Sequence, residues 1–428
     1  MSAPDKNKQA ANDPPEGWPA NHPPGLDMEE RRAGWRARYA ESDKLVGIET
    51  DETFEPFNQR NDMFARAFWD ETVQSDAAYA FFKGHAGVGN PRRSAGFTQK
   101  DIALRNASWA ISNMISSRSA KDGKREGFMA PIEVASGVAE QRVEIEDSGE
   151  FTQEIKNLAR LFGADLVGVT DYDERWIYKS RVDIRGFKDV SHDMPEGMTH
   201  VIVMGHSMDH DLVQTYPSAL AGAATGREYS HEAAIVIQLV TYIHNLGYEA
   251  VGSMNDTSLV IPFAVKAGLG EYGRHQMVIT PEFGPRVRFS KIFTNLPLEI
   301  DVPKRLGITE YCNECTVCAD ACPPKALPYG LPEARQQNQS TIRGVKKWTA
   351  NCEKCFGYWV KIGTDCAICM RVCPFNRPYK GWADRLFFRI ATSRFRSLAR
   401  FWDKKSGRGE RVKPGSWWSR IAAPDFWR

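Results

Sequence analysis

Apolar residues recur at spacings of three and four between Phe64 and Met129, which is the pattern of amphipathic helices. This spacing predicts a helical N-terminal region over residues 51–150. The preceding residues 1–50 are rich in Pro, Asn, Asp, Lys and Glu and contain few aliphatic side chains. Because so little apolar surface cannot offset the entropy lost on ordering, we expect a mobile N-terminal arm there.

The pattern changes to an alternation of helices and strands between residues 151 and 300. A helix in EIKNLARLFG ends at Gly163, strands follow in ADLVGVT and HVIVMGHSM, and a long helix in SHEAAIVIQLVTYIHNLG ends at Gly247. These elements predict a mixed α/β domain. Together with the helical region before it, they place the chain in the α+β class.

The charge of the whole chain excludes one broad class of partner. Its 428 residues carry a formal net charge of +2, which gives no global basic field, so nucleic acid is not an expected partner. The longest apolar stretch, Ala233 to Ile243, is far short of the ~20 residues that span a bilayer. The N-terminus shows no secretory or twin-arginine signal. We therefore expect a cytoplasmic protein without stable membrane insertion.

The cysteines change the picture, because all nine lie between Cys312 and Cys373. Such clustering indicates metal binding rather than a disulfide framework. Residues 311–323 read YCNECTVCADACP, the C-x2-C-x2-C-x3-C-P run of bacterial two-cluster ferredoxins, and residues 366–374 read CAICMRVCP. In such runs the cysteine before proline ligates the other cluster. The spacing predicts a ferredoxin-like domain with two 4Fe-4S clusters over residues 301–380.

Ligands can be assigned to each cluster from this crossing pattern. Cluster one is predicted to use Cys312, Cys315, Cys318 and Cys373. Cluster two takes Cys322, Cys366 and Cys369 and needs a fourth thiolate, for which Cys352 and Cys355 compete; we prefer Cys355. A zinc site is disfavoured, because closed zinc sites use four ligands in two short pairs. Paired clusters relay electrons, so the preceding residues must hold what receives them, and cluster two is our candidate for the cluster beside it.

Residues 381–428 form a basic and aromatic C-terminal tail. From Lys380 onward the chain has thirteen Lys or Arg against four acids. The tail is expected either to pack back on the body or to present an aromatic, cationic surface. No Gly-x-Gly-x-x-Gly follows a predicted strand, so a Rossmann site is not supported.

The stretch from Phe151 to Pro378 resembles the core of the corrinoid-dependent reductive dehalogenases. The resemblance is carried by the two cysteine motifs and by IKNLARLFGADLVGVTDYDERWIY, VIVMGHSMDHD, QTYPSAL, REYSHEA, HNLGYEAV, IPFAVKAGLGEYGR, ITPEFGPRVRFSKIFTNLPL and EKCFGYWVKIGTDC. It implies a nitroreductase-like α/β domain, residues 151–300, that binds a base-off cobalamin with no protein ligand below the cobalt. It also implies that Co(I) cleaves a carbon–halogen bond of an organohalide.

The resemblance further implies that a Tyr with a neighbouring cation delivers the proton to the developing carbanion. Tyr229 in REYSHEA matches that tyrosine, and GPRVRFSK should supply the cation, Lys291 first and Arg288 second. A phenol with a pKa of ~10 is a poor acid at neutral pH, and a cation stabilises the phenolate that it leaves. From residue type alone, a tyrosine before a helix is more often a packed, half-buried residue.

Three glycines of AGLGEYGR could hold the corrinoid by close backbone approach, or could merely shape turns. They are Gly268, Gly270 and Gly273. The exported family members carry a twin-arginine leader and the self-sufficient ones a fused reductase. Neither is found here, so we expect a separate electron donor, such as a ferredoxin or flavodoxin, to dock at the tail.

Two other functions compete with this interpretation. Epoxyqueuosine reductases share the corrinoid domain and paired clusters, but they carry a Trp and a Gly-Lys-His where this chain has GEYGR. The ferredoxin segment is also not followed by the helical repeats expected for holding tRNA. The second alternative is a non-catalytic subunit that carries a corrinoid or transfers electrons.

Overall fold

Four antiparallel strands form the central sheet of the protein, in a computed structural model that describes residues 28–85, 87, 91–191 and 194–421. The order across the sheet is β1 (Leu166–Asp171), β4 (His200–Ser207), β8 (Val287–Thr294) and β5 (Ala250–Ser253). Two hairpins lie outside it, β2 (Arg181–Asp183) with β3 (Lys188–Val190) and β6 (Glu271–Tyr272) with β7 (Val278–Ile279). The strands predicted in ADLVGVT and HVIVMGHSM are β1 and β4.

Helices precede, alternate with and follow these strands. Before the sheet come α1 (Met28–Val46), α2 (Met63–Trp69), α3 (Asp76–Lys83), α4 (Gln99–Ser117) and α5 (Ser148–Leu161). Among the strands are α6 (His210–Val213), α7 (Gly222–Asn245) and α8 (Val260–Lys266). After it come α9 (Ile308–Glu314), α10 (Val317–Ala321), α11 (Cys352–Ile362), α12 (Ile368–Arg371), α13 (Trp382–Ala391), α14 (Arg396–Ser406) and α15 (Pro414–Ile421). The composition of helices and a small antiparallel sheet agrees with the predicted α+β class.

Both faces of the sheet are covered, which explains why β4 is apolar along its length. Successive side chains of a strand point to opposite faces. Ile202 and Met204 therefore lie in the core formed with α7, while Val201 and Val203 lie in a second core formed with α8. Helix α5 packs beside β1 and is followed by Gly163, whose φ of +115° ends the helix.

The N-terminal segment differs from its prediction. Helix α1 lies within the stretch expected to be a mobile arm, and its Trp35 and Tyr39 are buried in the α8 side of the core. Trp35 also donates a hydrogen bond of 2.8 Å to Glu174. A mobile arm is therefore the wrong description of residues 28–50, and residues 1–27 lie outside the described part of the chain.

The C-terminal tail packs on the body through α13 and α14. Phe387, Ala391 and Ala399 are buried in one core with cysteines of the ferredoxin-like segment. Farther along, Trp418 donates a 2.8 Å hydrogen bond to Asp101 at the start of α4. The same helices leave Trp382 and other large apolar side chains exposed, so the tail both packs and presents an aromatic surface. Within the described ranges, every helix is too short or too polar to cross a bilayer.

Candidate active site

Tyr229 lies on α7, with 5% of its surface exposed. The helix begins at Gly222, so Tyr229 is in its second turn rather than ahead of the helix, as the sequence suggested. Its ring stacks on Trp109 of α4 at a centroid distance of 5.0 Å and contacts Phe128 at 5.3 Å. Because Gly226 has no side chain, the Trp109 indole can approach α7 closely. A Cβ atom at this position would clash with the indole.

The phenol oxygen of Tyr229 accepts a hydrogen bond from the side-chain amide of Asn255. Asn255 follows β5, and its carbonyl accepts a 3.4 Å hydrogen bond from the Tyr178 hydroxyl. Because Asn255 donates to the phenol oxygen, the phenol's own hydrogen is left for another acceptor. Asn255 was not predicted from the sequence, where its only signal is its place in a polar loop shortly after a buried strand.

Arg288 is the basic residue of GPRVRFSK that lies against the tyrosine. Its guanidinium carbon is 4.7 Å from the centre of the Tyr229 ring. Burial raises the pKa of Tyr229 above its ordinary value, and the charge of Arg288 lowers it. Lys291 instead donates to the backbone carbonyls of Met254, at 2.6 Å, and Asp256, at 3.1 Å. The structure thus brings Arg288, the second choice, beside Tyr229, and holds Lys291 against the backbone.

A buried carboxyl lies one helical turn beyond the tyrosine. Glu232 has no exposed surface, and neither of its carboxyl oxygens has a hydrogen-bond partner among the described residues. Burial raises the pKa of Glu232 to about 8, against the opposing charges of Arg288 and Lys291. At neutral pH this side chain therefore holds a proton, and the positive charge of Arg288 is not cancelled by it.

Two cavities meet at the junction of three regions of the chain. The first, here the aromatic cavity, measures about 300 Å³ and is lined mostly by aliphatic and aromatic side chains, among them Trp176, Tyr178 and Tyr272. The second, here the thiol cavity, measures about 200 Å³. Gln276 and Cys352 line both, so the two cavities are neighbours. Tyr178 connects the aromatic cavity to Asn255 and hence to Tyr229.

The cysteines lie in two cores, which follow the predicted groups except at Cys318, a predicted ligand of cluster one that packs in the core of Cys322. Cys312, Cys315 and Cys373 lie in the core shared with the tail, and burial together with Cys312, Cys318 and Cys315 raises the pKa of Cys373. Around the second group, the thiol cavity is lined by five cysteines, which are Cys322, Cys352, Cys355, Cys366 and Cys369. All nine cysteines are unpaired thiols.

Cys352 and Cys355, the two candidates for the fourth ligand of cluster two, differ in the residues that they contact. Cys355 packs in one core with Cys322, Cys366 and Cys369, whereas Cys352 packs with Phe64 and other aromatic residues. The Cys352 thiol also lies 3.8 Å from a backbone carbonyl that can accept its hydrogen. These contacts favour Cys355 as the ligand and leave Cys352 as the spare thiol.

The three glycines predicted to hold the corrinoid lie in a turn and a hairpin. Gly268, with φ of +73°, directly follows α8. A side chain at Gly270 would clash with the Ile279 backbone, and one at Gly273 would lie 2.7 Å from the Ile279 side chain. None of the three lines the aromatic or the thiol cavity. Their geometry supports the turn-shaping alternative.

Two family models match this chain. The model described as a 4Fe-4S double cluster binding domain matches residues 311–376, and the model described as a reductive dehalogenase subunit matches residues 182–298. The first match confirms the predicted pair of 4Fe-4S clusters. The second covers most of the predicted α/β domain, including α7 and β8.

Curated relatives and solved structures agree with these models. The tetrachloroethene reductive dehalogenase of Sulfurospirillum multivorans is 36% identical over 54% of this chain and 51% of its own length. That of Dehalobacter restrictus is 31% identical over 67% of this chain and 60% of its own length. The chain thus spans between half and two thirds of these relatives.

A solved reductive dehalogenase, described as suggesting a mechanism for B12-dependent dehalogenation, matches with a TM-score of 0.66 and 22% identity. It covers 90% of this chain and 51% of the solved chain, and it shows the shared fold. The epoxyqueuosine reductase of Bacillus subtilis is 35% identical, but over only 29% of this chain. The rival family therefore matches a much smaller part of the sequence.

Proposed function

The chain belongs to the reductive dehalogenase family, and from this premise we propose that it replaces a halogen of an organohalide by hydrogen. The observation that supports the proposal most directly is the contact of the buried Tyr229 with the half-buried Asn255 and Arg288, in a chain that also carries a double-cluster domain. Such a group can hold a proton at one atom, the phenol oxygen. The reaction needs a proton where the halide leaves.

The role of each side chain follows from its contacts. Asn255 donates to the phenol oxygen and so fixes its position. Arg288, beside the ring, favours the phenolate that remains after proton transfer. Trp109 and Phe128 pack on the ring and keep it in one orientation. We therefore assign Tyr229 as the general acid and Arg288 as the cation that lowers its pKa.

The two adjoining cavities could take part of a large cofactor, held by packing. Their walls combine apolar side chains of the N-terminal region and the α/β domain with the cysteines of the proposed cluster two. We propose that the cofactor is a base-off corrinoid and that Trp176, Tyr178, Tyr272 and Gln276 would hold it. When bound, the two clusters would supply the electron relay. The corrinoid would supply the cobalt chemistry that cleaves the carbon–halogen bond.

The proposal is tested by halide release. The protein is reconstituted anaerobically with cobalamin, iron and sulfide, reduced with a chemical reductant, and offered a panel of halogenated phenols and alkenes. We expect halide and the hydrogen-substituted product in equal amounts. A protein that binds both cofactors but releases no halide from any compound would contradict the proposal and favour a non-catalytic subunit.

The role of Tyr229 is tested with Tyr229→Phe, which keeps the ring contacts and removes the acid. General acids contribute about 10²- to 10⁴-fold to rate, so a loss of that size is expected. The Co(II) electron paramagnetic resonance spectrum should be unchanged, because the phenol hydroxyl is not a proposed ligand. Retained activity would overturn the assignment.

We further propose that electrons enter from an acidic electron-transfer protein at a cleft near cluster one. This cleft measures about 1070 Å³ and is lined by the proposed ligand Cys315. Its basic side chains outnumber its acidic ones: Arg371, Arg400, Lys404, Arg408 and Arg411 against Asp320, Asp403 and Glu410. Exposed positive charge beside a cluster ligand favours the approach of a negatively charged ferredoxin or flavodoxin. We also propose a cytoplasmic location, since the cysteines are clustered in the metal-binding segment and do not form a disulfide framework.

Charge reversal tests this surface better than removal of the tail, because the tail buries Phe387 against cluster-one cysteines. The double variant Lys404→Glu, Arg411→Glu should raise KM for reduced ferredoxin or flavodoxin about 10-fold, the size of effect that steering by charge can have, while activity with methyl viologen is kept. Lys121→Glu, an exposed lysine outside the cleft, serves as the control. Equal losses with both donors would contradict docking at this cleft.

A further inference from the structure

The β6–β7 hairpin of the α/β domain reaches the segment that carries the clusters. At its turn, the guanidinium of Arg274 is almost fully buried and donates to the backbone carbonyls of Cys312 at 2.8 Å and Cys315 at 2.7 Å. It also donates to the carbonyls of Pro328 and Gly330. These bonds fix the hairpin turn against the cysteine loop of cluster one.

The next residue, His275, is held in one protonation form by its neighbours. The backbone N–H of Met277 donates to its Nδ1 at 3.3 Å, so Nδ1 carries no hydrogen. An imidazole ring carries at least one N–H hydrogen. Because Nδ1 accepts a hydrogen bond, that hydrogen lies on the other nitrogen, which makes Nε2 a donor.

That donor has no acceptor within the described part of the protein. His275 is 5% exposed, and its Nε2 makes no hydrogen bond. A buried donor without an acceptor is costly, so such groups in native proteins usually meet a ligand or an ordered water. His275 lines the thiol cavity, whose wall includes the four proposed ligands of cluster two.

We propose that His275 donates a hydrogen bond from Nε2 to a sulfur of cluster two and thereby raises the reduction potential of that cluster. The sulfurs become more negative when the cluster gains an electron, so a donor to them stabilises the reduced form. Arg274, in contrast, donates to backbone carbonyls at cluster one. One hairpin turn would thus act differently on the two clusters and set the difference between their potentials.

The proposal depends on the ligand set assigned to cluster two and not on dehalogenation. It is tested on the full-length protein with both clusters, by redox titration followed by electron paramagnetic resonance. His275→Leu keeps a similar side-chain volume and removes the donor. It should lower the reduction potential of one cluster by ~59 mV, which makes its one-electron reduction about 10-fold less favourable. His275→Gln, whose amide can donate from a similar position, should recover part of the shift.

His206 provides the matched control. It is also buried, with one ring nitrogen that has no partner among the described residues, but it does not line the thiol cavity. His206→Gln should leave both potentials unchanged. The proposal is overturned if His275→Leu shifts neither potential, if it shifts both equally, or if His206→Gln produces the same shift.

A second measurement keeps the test decisive if His275→Leu loses a cluster. In protein labelled with ¹⁵N-histidine, pulsed electron paramagnetic resonance should detect coupling between one reduced cluster and a histidine nitrogen. The coupling should vanish in His275→Gln and persist in His206→Gln. Its absence from the wild-type protein would overturn the proposal and point to a water or a polar group of the corrinoid as the acceptor. None of these signals requires halide release, so a failed proposed function would be recognised separately.

Discussion

The guanidinium carbon of Arg288 lies 4.7 Å from the centre of the Tyr229 ring. Three residues farther along β8, Lys291 is directed to the carbonyls of Met254 and Asp256. Of these two basic residues, Arg288 is therefore the one that contacts the ring of the proposed acid. The sequence motif offered both residues, and only the packing of β8 against α7 distinguishes them.

Arg288→Gln and Lys291→Gln should have different effects, the first mainly on kcat and the second mainly on stability. Without the guanidinium, the pKa of Tyr229 rises further and proton transfer slows, so kcat should fall about 100-fold, within the range of general acid catalysis. Lys291→Gln should act mainly on stability, costing about 1–3 kcal/mol because buried carbonyls lose their donor. Steady-state kinetics and thermal unfolding at matched corrinoid content check this. A larger loss of kcat in Lys291→Gln would restore Lys291 as the cation.

Asn255→Leu should lower kcat while substrate KM changes little. In this variant no side-chain amide fixes the phenol oxygen. One hydrogen bond to the reacting group is worth about 1 to 1.5 kcal/mol, so its loss should lower the rate roughly 10-fold. Asn255→Gln, which keeps the amide on a longer side chain, is the control and should recover part of the rate. Equal kcat in Asn255→Leu and wild type would show that the phenol does not need this partner.

Gly226→Ala tests whether the close packing of Trp109 orients the tyrosine. The added methyl group would overlap the indole, and overpacking of this kind costs about 1–3 kcal/mol. We expect a lower melting temperature and reduced kcat, because the indole stacks on Tyr229. Gly357 is the matched control: it lies within α11, and a side chain there meets open space. Gly357→Ala should stabilise the helix slightly, by about 0.5–1 kcal/mol, and leave kcat unchanged.

The parts of the site that sequence predicted best are those encoded by short spacing. The cysteine runs imply the double-cluster domain because neighbouring ligands of a cluster come from one loop. The fourth ligand of cluster two is different: Cys352 and Cys355 lie one turn apart on α11, and only their neighbours in space favour Cys355. Asn255 was missed because 26 residues separate it from Tyr229 and the contact depends on how β5 and α7 pack.

The mobile-arm prediction failed at α1, and the start of α7 was predicted at Ser230 instead of Gly222; packing explains both differences. In α1 the mean hydropathy is low, and burial is confined to Trp35, Tyr39 and Asp43, which recur every four residues on one face. That spacing was the available signal for a docked helix. In α7 the first turns contain Gly222 and Gly226, which disfavour a helix by propensity. The tight contact with Trp109 needs a small residue there, and tertiary packing overrides the local preference.

The buried carboxyl of Glu232 gives a pH dependence whose sign can be worked out. Its pKa is about 8 in the folded protein and near 4.5 without burial. Between these pH values the folded state therefore binds more protons than the unfolded state. The stability contributed by the protonated carboxyl is complete below about pH 4.5 and is lost as pH rises through 8.

Glu232→Gln should remove this part of the pH dependence, because an amide does not ionise. Relative to wild type, the variant should gain stability between pH 5 and 9, on the order of a few kcal/mol. Melting temperatures of both proteins at several pH values check it, and Glu154→Gln, at an exposed position of α5, is the control. Parallel curves for wild type and Glu232→Gln would mean that the carboxyl is ionised at neutral pH. In that case it would neutralise Arg288, and the proposed cation beside Tyr229 would lose its effect.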